Sequence, residues 1–238
     1  MREDGQRVAV ITGGSQGIGA GLVAGYRGLG WAVVASARTI KPSEDPAVLT
    51  IAGDIADPAT ADRIIDGALE RFGRIDTLIN NAGVYISKPF TDYTAADYAR
   101  VTGVNLTGFF WVTQRAIAEM ATRYGGHVVN ISATLAEVAD SGTPAVLAAL
   151  TKGGLAAATR SLAIEYASRG IRVNAVSPGV IQTPVYPAES YEDLGDRLPP
   201  LGHVGQVSDV VNAILFLESS PYITGEILHI DGGQIAGH

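Results

Sequence analysis

The chain has 238 residues, no cysteine and a formal net charge of −7. This length suits one large domain with a sizeable core, and the lack of cysteine excludes disulfides, thiolate metal sites and a cysteine nucleophile. The acidic balance argues against a broad nucleic-acid or anionic-membrane surface. The polar start shows no signal peptide, and no run of about 18 apolar residues occurs. We therefore expect a cytoplasmic protein without a membrane span, a nucleic-acid partner or a metal.

Strand and helix patterns alternate from one end of the chain to the other. Short apolar or β-branched runs predict seven strands, within 7–14, 31–37, 47–54, 75–83, 126–133, 171–179 and 225–233. Apolar residues at helical spacing predict helices within 17–30, 58–73, 95–125, 143–170 and 208–219. Pro58 suits a first helical turn, and Ser208 is the expected cap of the last helix.

The strands are continuous apolar runs, as expected when helices cover both faces of a sheet. The alternation thus predicts an α/β fold, a doubly wound parallel sheet of seven strands in a single domain over 1–238. One irregular stretch, 183–206, is rich in proline, glycine and aromatic residues. Because it leaves the carboxyl end of a strand, we expect a lid over a substrate site there.

A glycine-rich turn, TGGSQGIG, directly follows the first strand and opens a helix. Its glycines at 13, 17 and 19 allow a tight turn and a close approach to a pyrophosphate, whose charge is favoured at a helix N-terminus. A turn of this kind can also merely connect a strand to a helix. Its position between a strand and a helix favours the phosphate-binding interpretation.

Six motifs occur together in this chain. They are the glycine turn, NNAG at 80–83, Asn105, Lys152, SPG at 177–179 and the final DGG. In type, order and spacing this set resembles the short-chain dehydrogenase/reductase family, over essentially the whole chain. The resemblance implies a Rossmann-type subunit, a nicotinamide cofactor, a small organic substrate, and a homotetramer or homodimer built through the two long helices.

The end of the second strand indicates which nicotinamide cofactor is bound. An acidic residue there would bind the ribose hydroxyls and repel a 2′-phosphate, but this chain has Ala37 followed by Arg38. Arginine suits a phosphate, and Ser15, Ser36 and Thr39 add neutral donors. The sequence therefore favours NADP(H) over NAD(H), although Gln16 replaces the basic residue of many NADP-using relatives.

The resemblance also assigns the remaining cofactor contacts. Asp54 and Ile55 resemble the residues beside the adenine, although Asp54 also suits a helix-capping role. The expected contacts in the glycine turn and in the two later motifs are Gly13, Ser15, Gln16, Gly17, Ile18, Gly19, Asn81, Ala82, Gly83, Pro178, Gly179, Ile181 and Thr183. The last four resemble the segment that holds the nicotinamide carboxamide.

The catalytic set is incomplete. The family pairs hydride transfer with proton transfer by a tyrosine, whose pKa an adjacent lysine lowers, while a serine orients the substrate and an asparagine holds a water. Lys152 and Asn105 are present, but Ala148 stands four residues before the lysine, where the tyrosine is expected. The serine position is Ala133, and the following loop is about two residues longer than in the family, so Ser132 and Thr134 remain candidates for it.

The missing proton donor leaves several hypotheses open. Candidate substitutes are Tyr85, Glu137, Tyr186, Tyr191 and His203, each of which can also be an ordinary surface or packing residue. The chain is an oxidoreductase with another proton source, a cofactor-binding member without redox turnover, or a catalyst of elimination or isomerisation. The first hypothesis favours imines or activated C=C bonds, which depend less on an acid.

Overall fold

The computed structural model describes residues 5–123, 125–184 and 199–237. Its centre is one parallel sheet of seven strands in the order β3-β2-β1-β4-β5-β6-β7. The strands are β1 Val8–Thr12, β2 Ala32–Ala37, β3 Val48–Ala52, β4 Thr77–Asn80, β5 Gly126–Ile131, β6 Ile171–Pro178 and β7 Ile227–Ile230. The predicted doubly wound parallel sheet is confirmed.

The helices lie on both faces of the sheet. They are α1 Gly17–Gly28, α2 Pro58–Phe72, α3 Ala95–Thr102, α4 Phe109–Thr122, α5 Val146–Tyr166 and α6 Val207–Ser219. In one core cluster, the strand residues that point to one face of the sheet pack against α2, α4 and α5. In the other cluster, the strand residues that point to the opposite face pack against α1 and α6. Both faces of the central strands are therefore buried, which explains their unbroken apolar sequences.

The expected single helix over 95–125 is interrupted. Six residues, Gly103–Gly108, form a π-helical turn between α3 and α4. A side chain at Gly108 would collide with Ile55, because an added Cβ would lie 2.8 Å from its Cγ2 atom. Such π turns occur frequently at functional sites, and this one carries Asn105.

Two helix starts test the capping predictions. Pro58 occupies the first turn of α2, as expected, and Asp57 caps it by accepting a hydrogen bond from the Ala59 N–H at 3.0 Å. Ser208 does not cap α6, so that expectation is wrong. The cap is Gln206, two residues earlier, and its backbone N–H donates to the Asp209 carboxylate at 2.7 Å.

A buried polar network lies near the amino ends of β4, β5 and β6. The Glu218 carboxylate accepts hydrogen bonds from Tyr26 Oη at 2.9 Å and Thr77 Oγ1 at 2.8 Å, and lies 3.1 Å from His127 Nδ1. Asn174 Nδ2 lies 3.1 Å from the other imidazole nitrogen. Because an amide N–H donates and a carboxylate accepts, this arrangement holds His127 as the Nδ1–H tautomer.

The strand order places the candidate site. The chain moves from β1 outward through β2 and β3 on one side and through β4 to β7 on the other. Doubly wound sheets bind ligands in the crevice at the carboxyl ends of the strands where the order reverses, here between β1 and β4.

Candidate functional site

A pocket of about 510 Å³ occupies this crevice. It collects most of the predicted cofactor contacts: Gly13, Ser15, Gln16, Gly17, Ile18, Gly19, Arg38, Asp54, Ile55, Asn81, Ala82, Gly83, Lys152 and Thr183. Pro178, Gly179 and Ile181 are not among the lining residues. The structure therefore brings the glycine turn, the end of β2, the turn after β4 and Lys152 together around one pocket.

The glycine turn and the turn after β4 are fixed against each other. Gly13 has a φ of +70°, and a Cβ added there would lie 2.8 Å from Asn81 Nδ2. That amide donates to the carbonyls of Thr12 at 2.9 Å and Gly13 at 3.1 Å. The Thr12 hydroxyl in turn accepts hydrogen bonds from the backbone N–H groups of Asn81 and Ala82. Only a glycine fits this conformation and this contact.

One end of the pocket is lined by a cation and several hydroxyls. Arg38, Ser36 and Thr39 come from the end of β2, and Ser15 comes from the glycine turn. Asp54 lines the same end while its Oδ1 atom accepts a hydrogen bond from the Ala56 N–H at 3.0 Å. Asp54 therefore stabilises its own turn through this hydrogen bond and also lines the pocket. This donor set fits a phosphorylated ribose.

At the other end of the pocket, Asn105 connects the loop after β4 to α5. Its Oδ1 atom accepts a hydrogen bond from the Val84 N–H at 2.9 Å, and its Nδ2 atom donates to the Val84 carbonyl at 3.0 Å. The same amide nitrogen donates to Thr151 Oγ1 at 3.1 Å. Asn105, only 2% exposed, therefore holds the loop after β4 next to the turn of α5 that carries Lys152.

The Lys152 amino group lies at this end of the pocket. Its Nζ donates to the Ile131 carbonyl at 2.6 Å, and a Cβ added at Gly83 would lie 3.3 Å from it. Burial lowers the pKa of Lys152 from 10.5 to about 8, because desolvation disfavours the charged form. The lysine is thus positioned to contact a ligand that enters beside Gly83.

The positions where the resemblance predicts a tyrosine and a serine hold alanines. Ala148 is 4% exposed in the first turn of α5, and Ala133 lies two residues after the end of β5. The candidate Ser132 does not line the pocket: it is 3% exposed, and its hydroxyl donates to the Lys152 carbonyl at 3.2 Å. Thr134 is also buried, with its hydroxyl 3.4 Å from Gln234 Oε1. Because both hydroxyls serve internal contacts, the role of Ser132 in orienting a substrate stays a prediction.

The carboxamide-holding segment is only partly in the pocket. Thr183 lines it, whereas Ile181 forms an isolated parallel bridge with Gly205, and Gly179 donates its N–H to the Ile230 carbonyl at 3.0 Å. Residues 185–198, the middle of the expected lid and the location of Tyr186 and Tyr191, lie outside the described residues.

The other candidate proton donors fall in different places. Tyr85 lines the pocket together with Lys152. Glu137 accepts a hydrogen bond from Ser177 Oγ at 3.2 Å and lies 3.0 Å from His229 Nε2. His203 lines a second cavity, as does His229. His229 was missed by sequence reasoning, because its position just before the DGG motif on an apolar strand gave no sign of the distant Glu137.

The described residues contain neither a candidate metal cluster nor a candidate membrane-spanning helix. No group of three or more histidine, cysteine, aspartate or glutamate side chains is placed to hold a metal ion in the parts of the chain that the structure describes. No helix in these same parts is long and apolar enough to cross a membrane.

Comparison with known proteins defines the class. Residues 13–234 match the family model described as enoyl-(acyl carrier protein) reductase. A 3beta-hydroxysteroid dehydrogenase of Eggerthella lenta is 35% identical over 96% of this chain and 93% of its own length. The 3-oxoacyl-(acyl-carrier-protein) reductase FabG of Thermotoga maritima is 33% identical over 99% of this chain and 100% of its own.

The solved structures that resemble this chain indicate the same family as the relatives found by sequence. ElxO with NADP bound superposes with a TM-score of 0.89 at 28% identity, covering 98% of this chain and 100% of that one. The chain belongs to the short-chain dehydrogenase/reductase family. Its class is therefore that of oxidoreductases which bind a nicotinamide cofactor.

Proposed function

We propose that this protein is an NADP(H)-dependent oxidoreductase that acts on a small organic substrate by hydride transfer, without a proton donor at position 148. The observation that carries the proposal is the single pocket that joins the glycine turn, the hydroxyl and guanidinium groups around Arg38, and the Lys152 amino group. When bound there, the nicotinamide supplies the hydride.

The preference for NADP(H) rests on the ribose end of the pocket. Arg38 offers a planar pair of donors that matches a phosphate, and Ser15 and Thr39 offer neutral donors nearby. No carboxylate follows at the end of β2, where Ala37 stands, so nothing there repels a 2′-phosphate. The NADP-bound state of the structurally similar ElxO supports this choice.

At the Lys152 end of the pocket, residues of this chain would bind and orient the cofactor. Lys152 would donate hydrogen bonds to a ribose hydroxyl of the bound cofactor, and Asn105 holds the turn of α5 that carries Lys152 against the loop after β4. Ala148 and Ala133 provide neither a phenol nor a hydroxyl to a substrate oxygen. Loss of a general acid typically costs about 10²- to 10⁴-fold in rate, whereas positioning for hydride transfer survives.

Because hydride positioning survives while a general acid at position 148 is absent, substrates that need little help from such an acid are favoured. An iminium ion is already cationic and becomes a neutral amine on hydride addition, so it needs no proton in that step. An activated C=C bond delays the need for a proton. We therefore propose imines and activated C=C bonds, ahead of simple ketones, as the first substrates to examine.

Binding followed by turnover tests the proposal. We expect NADPH fluorescence to report binding that is tighter than NADH binding, and NADPH oxidation with at least one substrate from a panel of ketones, iminium ions and enones. Failure to bind either nucleotide would refute the proposal. Binding without any turnover would favour the second candidate, a cofactor-binding protein with a structural or regulatory role. The alanines at the expected tyrosine and serine positions, Ala148 and Ala133, argue for this candidate.

Association of subunits through the long helices is part of the same proposal. Apolar side chains on α4 and α5 face solvent in the single chain, with Phe110 52%, Leu150 58% and Ile164 80% exposed. Burial of such side chains at about 25 cal/mol per Å² drives association. We propose a homodimer or homotetramer, which light scattering would detect.

A further inference from the structure

Two proton-carrying side chains, Tyr85 and Lys152, line the cofactor pocket together. Among the described residues of that lining, the ionisable ones are these two, Arg38 and Asp54. Arg38 and Asp54 lie at the end that fits a phosphorylated ribose. A dinucleotide with its adenosine half at that end extends its nicotinamide half towards the opposite end. Tyr85 and Lys152 are therefore the ionisable groups on the side where hydride would be transferred.

The backbone around Val84 determines which way the Tyr85 side chain points. Asn105 accepts a hydrogen bond from the Val84 N–H at 2.9 Å and donates one to the Val84 carbonyl at 3.0 Å. A single amide binds both groups when they point to the same side, as they do in an extended chain. In an extended chain, the residues before and after Val84 project from one face. Gly83 and Tyr85 thus share a face of this segment.

Lys152 lies on that face. A Cβ added at Gly83, which marks the direction of a side chain there, would lie 3.3 Å from Lys152 Nζ. The Tyr85 side chain is half-buried and lines the same pocket. Residues two apart in an extended chain are separated by about 7 Å, and a tyrosine side chain is about as long. The Tyr85 phenol is therefore within reach of the Lys152 amino group.

The loop that carries Tyr85 is also anchored beyond it. The Ser87 hydroxyl and the Lys88 N–H donate to the Pro144 carbonyl at 2.9 and 3.0 Å. With the bonds to Val84 on one side and these bonds on the other, the backbone at Tyr85 is held from both directions. A group held in this way can meet a bound substrate in a defined geometry, which is a requirement for efficient proton transfer.

The side of α5 that faces this loop lacks the expected ring. Asn105, which holds the loop, also donates to Thr151 Oγ1 at 3.1 Å. Ala148 is three residues before Thr151 and four before Lys152, so these residues are neighbours on the helix surface. The loop and α5 thus meet where the resemblance predicts a tyrosine, and the loop contributes a tyrosine of its own.

We propose that Tyr85 is the proton donor that replaces the tyrosine missing at position 148, and that the Lys152 ammonium stabilises its phenolate. This inference rests on the proposed oxidoreductase function. It adds to that function a substrate class, carbonyl compounds whose reduction requires a proton. Asn105 is a positioning residue, because it acts through Val84 and Thr151.

The charge of Lys152 makes a phenol useful as an acid here. A phenol has an ordinary pKa near 10 and needs a neighbouring cation to act near neutral pH. Burial lowers the pKa of Lys152 to about 8, which leaves its amino group charged at pH 7. As pH rises above about 8 this cation is lost, so ketone reduction that depends on the phenol should slow there.

The chemistry balances for a ketone. Hydride forms a C–H bond at the carbonyl carbon, and the C=O π pair moves to oxygen, with oxidation of the nicotinamide that supplied the hydride. The oxygen takes the proton of the Tyr85 hydroxyl, whose O–H electron pair stays on the phenolate oxygen. The products are an alcohol and a phenolate beside the Lys152 ammonium. Solvent then returns a proton to the phenolate.

Lys152 itself is the alternative donor at this end of the pocket. Its Nζ already donates to the Ile131 carbonyl at 2.6 Å, and the proposed cofactor contact uses a second N–H. Transfer of a proton from Lys152 would also remove its positive charge. Transfer from Tyr85 keeps that charge beside the new phenolate, which stabilises it. Tyr85 is therefore the better assignment.

Y85F separates the proton donor from the rest of the site, because it removes the hydroxyl and keeps the ring. We expect kcat for cyclohexanone to fall by about 10²- to 10⁴-fold, and kcat for an N-methyl cyclic iminium ion to stay within about threefold of the wild type. NADPH binding, measured by fluorescence titration, should be unchanged. The matched control Y98F removes the hydroxyl of a tyrosine that is 55% exposed on α3, outside the pocket lining, and should change neither rate.

The pH profile and a rescue test the chemistry further. Wild-type kcat for cyclohexanone should fall as pH rises above about 8, whereas iminium reduction should not follow this decline. A148Y, added to Y85F, supplies a phenol one helical turn before Lys152 and should restore ketone reduction.

A readout without turnover checks the pair itself. Carbon NMR of the Tyr85 ring, assigned with Y85F, should show ionisation at a lower pH in the wild type than in K152M, because methionine removes the cation. Equal titration in the two proteins would overturn the inference. An unchanged cyclohexanone rate in Y85F would overturn it and transfer the role to Lys152.

Two further outcomes distinguish this inference from the function on which it rests. Wild-type turnover of the iminium ion alone, or an equal loss for both substrates in Y85F, would overturn the role of Tyr85 and leave the proposed function standing. No turnover of any substrate by the wild type would refute the proposed function, and the role of Tyr85 with it.

Discussion

Among single residues, Arg38 carries the proposed preference for NADP(H) over NAD(H). Hydrogen bonds between charged groups contribute about 1.5–3 kcal/mol, so R38A should weaken NADPH binding by about 10- to 100-fold and change NADH binding little. Fluorescence titration with both nucleotides measures this difference. K41A, which removes a nearby cation outside the pocket lining, serves as the control. Equal losses for NADPH and NADH would show that Arg38 does not contact a 2′-phosphate.

Ala148 is the second residue whose substitution gives a clear prediction, here for the rate of ketone reduction. A tyrosine there would stand one helical turn before Lys152, and its phenol could transfer a proton with help from that amino group. We expect A148Y to raise ketone reduction by about 10²-fold or more if the remaining site accepts the substrate. A148F adds the same ring without the hydroxyl and should give no gain. A gain in both variants would indicate a packing effect instead.

At the scale of secondary-structure elements, the π turn between α3 and α4 is the part that organises the site. Its Asn105 satisfies both backbone groups of Val84 and reaches Thr151 in α5. N105A leaves these groups without their partner, so we expect a loss of about 1–3 kcal/mol in the free energy of unfolding and weaker NADPH binding.

Urea unfolding and fluorescence titration measure the two effects of N105A. The matched control is T102A, since the Thr102 hydroxyl is half-buried and donates only within its own helix, to the carbonyls of Tyr98 at 2.7 Å and Ala99 at 3.5 Å. T102A should stay within about 0.5 kcal/mol of the wild type. If N105A and T102A lose equal stability and both keep NADPH binding, Asn105 has no special role.

On the scale of the whole molecule, the buried network of His127 and Glu218 makes stability depend on pH. Desolvation is the largest influence on His127 and lowers its pKa below 6.5. For Glu218, desolvation opposes ionisation, but hydrogen bonds from His127, Thr77 and Tyr26 lower the pKa overall, below 4.5. In both cases the unfolded chain binds protons at a higher pH than the folded one.

The sign of the effect follows from these directions. The contribution of His127 to stability is complete above pH 6.5 and is lost as pH falls below that value, and the contribution of Glu218 is lost below pH 4.5. We expect the melting temperature to fall from pH 7 to pH 5, measured by calorimetry. H127Q should flatten this decline, whereas H203Q, at an exposed histidine, should not. An unchanged slope in H127Q would contradict the assignment.

The sheet and the nicotinamide pocket were predictable because their signals are local. Strand periods, the glycines of the first turn and the Ala37–Arg38 pair are each read within a few residues, and doubly wound folds place such segments at one crevice. The interruption of the long helix was not predictable, since Asn105 and the close approach of Gly108 to Ile55 belong to contacts between distant segments. Propensity does not distinguish a π turn from an α-helix.

By itself, the sequence determined the parallel fold, the dinucleotide-binding pocket and the absence of a tyrosine four residues before Lys152, because each is a property of residue type and spacing. Only the tertiary structure decided that the Ser132 hydroxyl contacts a helix carbonyl, and that Glu137 meets His229, 92 residues away in the chain. The reason is physical. Which face of a strand end or loop a side chain occupies depends on the pairing of β5, β6 and β7, and that pairing exists only in the folded sheet.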